Sequence, residues 1–114
     1  MQKLADLPLK ERDRQAIDAV VSLLQSQFPV EKVILYGSKV SGQDTDESDI
    51  DLLVLTQHPL PWQQRNAITD ALFDIELAHD VVISTLVVAQ SDWLSGYYTR
   101  LPIHQEISQQ GVAA

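Results

Sequence analysis

Two carboxylates stand at the head of an apolar run. Asp49-Ile50-Asp51 leads directly into Leu52-Leu-Val-Leu-Thr56, and Asp49 to Thr56 reads as a β-strand. In a strand, side chains at i and i+2 share a face. Asp49 and Asp51 therefore lie on one face, while Ile50, Leu52 and Val54 lie on the other and can be buried. Carboxylates so placed repel each other unless cations lie between them. A chain with this segment must bury one face of a strand while keeping the other face open where the strand begins. That suits Mg²⁺, which takes one or two carboxylates and fills its shell with waters and phosphate oxygens.

The segment before it adds a second element. Lys32-Val-Ile-Leu-Tyr36 is a short β-rich run that ends in Gly37-Ser38. Glycine lets the backbone turn sharply and approach a ligand closely. Ser38 can begin a short helix, whose first amides suit a phosphate, and Lys39 adds a positive charge. A Gly-Ser after a strand is ordinarily only a turn, and an Asp-x-Asp ordinarily only a solvated strand end. In this order, joined by a short polar loop, they set a phosphate cradle (Gly37, Ser38, Lys39) opposite metal ligands (Asp49, Asp51) on neighbouring strands.

The remaining pattern supplies a support. Lys10 to Gln27 reads as an amphipathic helix with Ile17, Val20, Val21 and Leu24 on one face, stopped near Pro29. Pro61 is placed to open a second helix carrying Ile68, Ala71, Leu72 and Ile75. Val81 to Val88 reads as a third strand, Ser91-Asp-Trp93 begins a weaker helical segment, and a last helix spans about Ile103 to Gln110 with Gly111 as its stop. The order α, β, turn, β, α, β, α, without repeat or linker, predicts one α/β (α+β) domain over residues 1–114, a β-layer covered by helices.

Composition narrows the function. The formal net charge is -8, which disfavours a general nucleic-acid surface. It leaves room for a nucleotide site, where bound cations neutralise carboxylates locally. The absence of cysteine excludes disulfides and thiolate metal sites. No apolar run has the length of a membrane span, and residues 1–14 carry no apolar signal core, so the expected compartment is the cytoplasm. The acidic stretch Asp44 to Glu47 reads as a solvated loop, and Trp62 and Trp93 read as packing anchors near helix starts.

Gly37-Ser38, ten intervening residues and then Asp49-Ile-Asp51 resembles the signature of the DNA polymerase beta-like nucleotidyltransferase superfamily. The wording Ser48-Asp-Ile-Asp-Leu-Leu-Val54 and the small size are similar to its minimal nucleotidyltransferases, the MNT group. The close likeness covers about residues 31–56. It implies the nucleotidyltransferase fold, with Gly37 and Ser38 on a triphosphate and two Mg²⁺ held by Asp49 and Asp51. It also implies a third carboxylate on a neighbouring strand. Asp80 is the best candidate for that metal-shell or base position because it opens Val81-Val-Ile-Ser84, with Asp74 and Glu76 as weaker alternatives. One departure stands out. Many relatives read Gly-Ser-x-Ala-Arg-Gly, whereas Val40 and Ser41 stand here in place of Ala and Arg, so a phosphate-facing arginine is missing.

The resemblance further implies a setting. Free-standing minimal nucleotidyltransferases are often paired with a HEPN protein as antitoxin and toxin, the former moving AMP from ATP to a tyrosine of the latter or acting by binding. This chain would be the antitoxin half. Two rivals are a small-molecule adenylyltransferase of the aminoglycoside-modifying type, for whose drug-binding domain 114 residues leave no room, and a non-catalytic module retained for nucleotide or partner contact.

Overall fold

The computed structural model describes residues 3–43 and 48–114, so the acidic stretch at 44–47 lies outside the described residues. After a short 3₁₀ turn, helix α1 (Glu11–Gln27) precedes strand β1 (Val30–Tyr36). A single helical turn, α2 (Ser38–Ser41), leads toward strand β2 (Ile50–Thr56). Helix α3 (Trp62–His79), strand β3 (Ile83–Ala89) and helix α4 (Gln90–Ser95) follow. A 3₁₀ turn (Tyr97–Arg100), helix α5 (Pro102–Gln110) and strand β4 (Val112–Ala113) complete the described chain.

The strands form one mixed sheet in the order β3-β2-β1-β4. β1 runs antiparallel to β2 and to β4, whereas β2 and β3 are parallel, joined by α3 as the crossover. β2 is therefore central, with a neighbour on each edge and helices on both faces. Its run Leu52 to Thr56 is buried without interruption, the pattern of a strand covered on both sides.

Alternation along β1 and β2 divides the interior in two. Val33, Leu35, Ile50, Leu52 and Val54 pack with Ala16, Ile17, Val20 and Leu24 of α1 and Ile68 and Leu72 of α3. On the other face Leu53, Leu55 and Val88 pack with Trp93 of α4 and Ile107 of α5. Ile50 and Leu52 thus anchor the start of β2 in the larger core, as the period-two pattern requires.

Most element boundaries match the sequence pattern to within a residue or two. Three features differ. The third strand begins at Ile83 instead of Val81, because α3 continues to His79 and closes on Asp80 in the left-handed conformation (φ 55°, ψ 50°), with the Val81 N–H bonded to the Glu76 carbonyl. β4 was not foreseen; its two residues pair with Ile34 and Leu35 and are too few to show a periodicity. Trp62, expected to be a packing anchor, is 63% exposed, whereas Trp93 is buried, its ring centroid 4.4 Å from that of His104, whose Nε2 lies 2.9 Å from the Trp93 carbonyl oxygen.

Leu35 is fully buried at the middle of β1, between β2 and β4. Leu35→Ala is expected to lower the unfolding free energy by about 2–5 kcal/mol, the range for a large-to-small change in a packed core. Urea unfolding followed by circular dichroism measures it; a loss below about 1 kcal/mol would mean that the sheet centre collapses around the gap.

Candidate functional site

The C-terminal end of β1 and the N-terminal end of β2 meet, since Tyr36 lies opposite Asp51 in their antiparallel register. Gly37 follows with φ 81° and ψ -152°, a conformation that L side chains rarely adopt. A Cβ at this position would overlap the Asp51 Oδ2 and lie 3.3 Å from its Cγ. The backbone of the turn and the Asp51 carboxylate are thus in direct apposition, and the missing side chain of Gly37 is what makes room. Ser38 opens α2 immediately afterwards, so the N-terminal end of that turn of helix starts beside the same carboxylate. Gly42 closes α2 in the left-handed region at φ 80°.

Asp49 is exposed just ahead of β2, and Asp51 is partly buried at its start, beyond the apolar residues of the smaller core. Three effects hold the Asp51 carboxyl above its ordinary range: first its burial, then the negative charge of Asp49, then that of Glu106 on α5. The Lys39 charge pulls it down. Tyr36 is raised likewise, by burial and then by Asp51 and Glu106. The negative charge around this partly buried carboxylate favours a cation beside it, and Lys39 supplies one. Among the described residues no group of three His, Cys, Asp or Glu is placed to hold a metal ion; Asp49 and Asp51 are two carboxylates, the number that Mg²⁺ takes beside waters and phosphate oxygens.

Lys39 does not take the place expected of it. Its side chain is fully buried and its Nζ lies 2.9 Å from the Asp13 Oδ2 of α1, so it faces inward instead of toward a phosphate. The contact is an ion pair without hydrogen-bond geometry at either Asp13 oxygen; the Arg12 Nε lies 3.7 Å from the other oxygen. The pair ties α2 to α1 from below. Asp13 was legible as a signal: with Ala16, Ile17, Val20 and Leu24 it continues the buried stripe of α1, a carboxylate at a core position. Ser41 is exposed, its hydroxyl donating weakly to the Ser38 carbonyl at 3.4 Å, and Val40 packs against the larger core. No cation is exposed on α2, so nothing there replaces the missing arginine.

Asp80 is likewise not where a strand-opening residue would be. It is exposed, caps α3, and precedes the first residue of β3 by three positions. The β3 residue beside Asp51 in the parallel register is Ser84, also exposed. Asp74 is exposed on α3, and Glu76 turns its Oε2 to accept from the Ile83 N–H at 3.2 Å, holding the start of β3. The further carboxylate whose charge acts on Asp51 is Glu106, which no strand argument could find because it comes from a helix.

Comparison with known proteins gives a consistent picture. The family described as "Polymerase beta, Nucleotidyltransferase" matches residues 18–109. A protein of Methanocaldococcus jannaschii is 28% identical over 101 residues, covering 87% of this chain and 94% of its own length. One of Haemophilus influenzae, MntA, is 29% identical over 77 residues, covering 68% and 65%. Both carry protein adenylyltransferase as a provisional name. Among solved structures, a toxin-antitoxin with AMP-PNP superposes with a TM-score of 0.61 at 22% identity, covering 84% of this chain and 69% of its own. A tri-AMPylated Shewanella oneidensis HEPN toxin in complex with its MNT antitoxin gives 0.54 at 19%, covering 88% and 69%. At those identities the likeness to the solved structures is one of fold.

Two outcomes follow from this geometry. Because Asp51 binds its proton more tightly in the folded state than in the unfolded one, its contribution to stability is present at acid pH and is lost as pH rises through the raised value. Asp51→Asn is therefore expected to raise the melting temperature at pH 7 relative to wild type, with the difference vanishing toward pH 3; a lower melting temperature at pH 7 would contradict the charge balance described. Asp13→Ala leaves Lys39 buried without its ion-pair partner on α1, and is expected to cost about 3–5 kcal/mol in chemical denaturation. Asp13→Leu with Lys39→Met should recover most of that loss.

Proposed function

The chain belongs to the polymerase beta nucleotidyltransferase family, and from that premise we propose that it transfers AMP from ATP to a hydroxyl of a partner protein, as the antitoxin half of a HEPN–MNT pair. The observation that carries the reading is the apposition of Gly37 with Asp51 beside Asp49, a turn without a side chain against a carboxylate pair that calls for cations. The relatives that cover most of this chain are named for protein adenylylation, and one structural neighbour is an antitoxin bound to its AMPylated HEPN toxin.

Asp49 and Asp51 would hold Mg²⁺, which when bound offsets charge on the triphosphate and on the attacking and leaving oxygens. The turn at Gly37 and Ser38 would bring backbone amides and a hydroxyl to the phosphates, fixing the α-phosphorus in line with the acceptor. The acceptor oxygen forms a bond to the α-phosphorus as the bond to the pyrophosphate oxygen breaks, and the hydroxyl proton passes to water. Lys39 acts from below, holding α2 on Asp13 and lowering the proton affinity of Asp51. The proposed compartment is the cytoplasm, where ATP and Mg²⁺ are abundant; among the described residues no helix is long and apolar enough to cross a membrane.

A second reading, binding without transfer, is favoured by two observations: the absence of an exposed cation on α2, and Ser84 instead of a carboxylate beside Asp51.

Incubation with labelled Mg²⁺-ATP and the product of the neighbouring gene, tested as the candidate HEPN-type partner, separates the two. Transfer predicts AMP on a tyrosine of the partner by mass spectrometry, reduced at least about a hundredfold by Asp51→Asn, the scale seen when an electrostatic stabiliser is removed. A stable complex without AMP on the partner selects the binding reading. Gly37→Ala should weaken Mg²⁺-ATP binding measured by calorimetry, since its Cβ collides with Asp51; wild-type affinity in a folded Gly37→Ala protein would remove the turn from the nucleotide site.

A further inference from the structure

Helix α3 carries large apolar side chains on two faces, and the fold uses only one. Ile68, Leu72 and Ile75 turn toward the larger core. At 3.6 residues per turn, Trp62, Phe73 and Leu77 fall within about 60° of one another on the side away from those residues. They are 63%, 56% and 67% exposed, with the polar Asn66 and Thr69 between Trp62 and the other two. Single exposed apolar residues are ordinary, but these three share one line about 22 Å long on one helix, and Phe73 and Leu77 are neighbours one turn apart. An exposed apolar patch rimmed by polar residues marks an interaction surface.

Two further features say what covers it. Asp70 and Asp74, both exposed, run along one edge of this line, and the chain as a whole carries a net charge of -8. A second copy would bring the same acidic edge and the same net charge against this one, which opposes self-association. The line ends at the β3 edge of the sheet, although α3 packs on the face opposite to the one that carries the Asp49 and Asp51 side chains. The C-terminal end of α3 abuts the start of β3, where the carbonyl of Val82, itself 56% exposed, accepts the N–H of Ile50, the residue between the two aspartates, at 2.8 Å.

We propose that the outward face of α3 is the docking surface for the protein acceptor, and that the acceptor presents an apolar ridge flanked by lysine or arginine. The inference rests on the reading that the acceptor is a protein. A partner held on this face reaches Asp49 and Asp51 by passing around β3, the edge strand of the sheet among the described residues, next to Ser84. Trp62, Phe73 and Leu77 supply contact area, and Asp70 and Asp74 supply orientation and speed of encounter.

The test uses the full chain and the product of the neighbouring gene as the candidate HEPN-type partner. Phe73→Ser with Leu77→Ser changes only exposed side chains, so folding and Mg²⁺-ATP binding should persist while partner affinity falls by about tenfold or more, the scale of losing an apolar anchor. Asp70→Asn with Asp74→Asn should slow association and flatten its salt dependence with little change in dissociation. Wild-type affinity for the partner in the Phe73/Leu77 variant would overturn the docking surface and leave the transfer reading untouched. A complex that forms without AMP transfer, yet is broken by that variant, would uphold the surface and sink the transfer reading. The absence of any complex with wild type would overturn the docking surface, while AMP on the partner decides the transfer reading separately. A wild-type dimer in sedimentation that the variant converts to monomer would assign this face to a second copy and overturn the proposal.

Discussion

The Asp51 carboxylate is held where its own charge is opposed. It is half-buried at the end of the smaller core, faces the backbone of Gly37, and feels Asp49 and Glu106. Such a position persists only if the elements around it are fixed by something else. The fixing comes from the opposite face of the same strand. Ile50 and Leu52 are sunk between α1 and α3, so the strand cannot rotate or slip to relieve the repulsion without pulling both out of the larger core. The strain of the site is thus balanced by apolar burial one residue away on either side. The Lys39–Asp13 pair performs the same service for the turn. It sets a positive charge beneath Asp51 and ties α2 to α1, at a desolvation cost that a merely structural contact would not require.

How much of this was legible in the sequence depends on range. The strand–turn–strand unit is local, and its parts were readable: Gly37 had to be a turn, and Asp49, Ile50, Asp51 and Leu52 had to alternate. The long helix α1, with one apolar face, was readable for the same reason, and the core-facing residues of α3 recur at helical spacing although its outer face is also apolar. The errors lie where two distant segments decide together. Lys39 reads locally as a phosphate ligand; its burial is set by Asp13, 26 positions earlier, by the difference of their numbers. Asp80 reads locally as the first residue of a strand; it is claimed instead by the C-terminus of α3, because an aspartate tolerates the left-handed conformation that a helix end favours. β4 exists only because α5 returns its end to β1.

The same distinction bears on the third carboxylate. A period-two extrapolation from β3 looks for it in the strand, and the parallel register gives Ser84 at the place beside Asp51. The acidic charge that does reach Asp51 comes from Glu106, on a helix that packs across the smaller core through Ile107. Charge at this site is therefore assembled from the head of β2 and from α5, the helix that packs on the smaller-core face of the sheet. Ser84 contributes a hydroxyl and no charge, while Glu76 and Asp80 stand at the end of α3 that leads into β3. Val82 and Ser84 are exposed on the β3 side.

The economy of the chain then explains its surface. The residues that define the candidate site fall between Gly37 and Asp51, apart from the charges of Asp13 and Glu106. The rest of the described chain serves to bury the back of that unit, and α3 does so with a single face. A helix whose only task was to cover the sheet would be polar on its outer side, as α1 is at Glu11, Gln15, Asp18 and Ser22. α3 instead keeps Trp62, Phe73 and Leu77 in water, at a standing cost in solubility that a polar substitution at any of them would remove without touching the core. Side chains that burden the isolated protein and do nothing for its fold are accounted for by what the protein meets. The proposed acceptor surface therefore sits on the outside of an element that the fold already needs, on side chains that the fold does not.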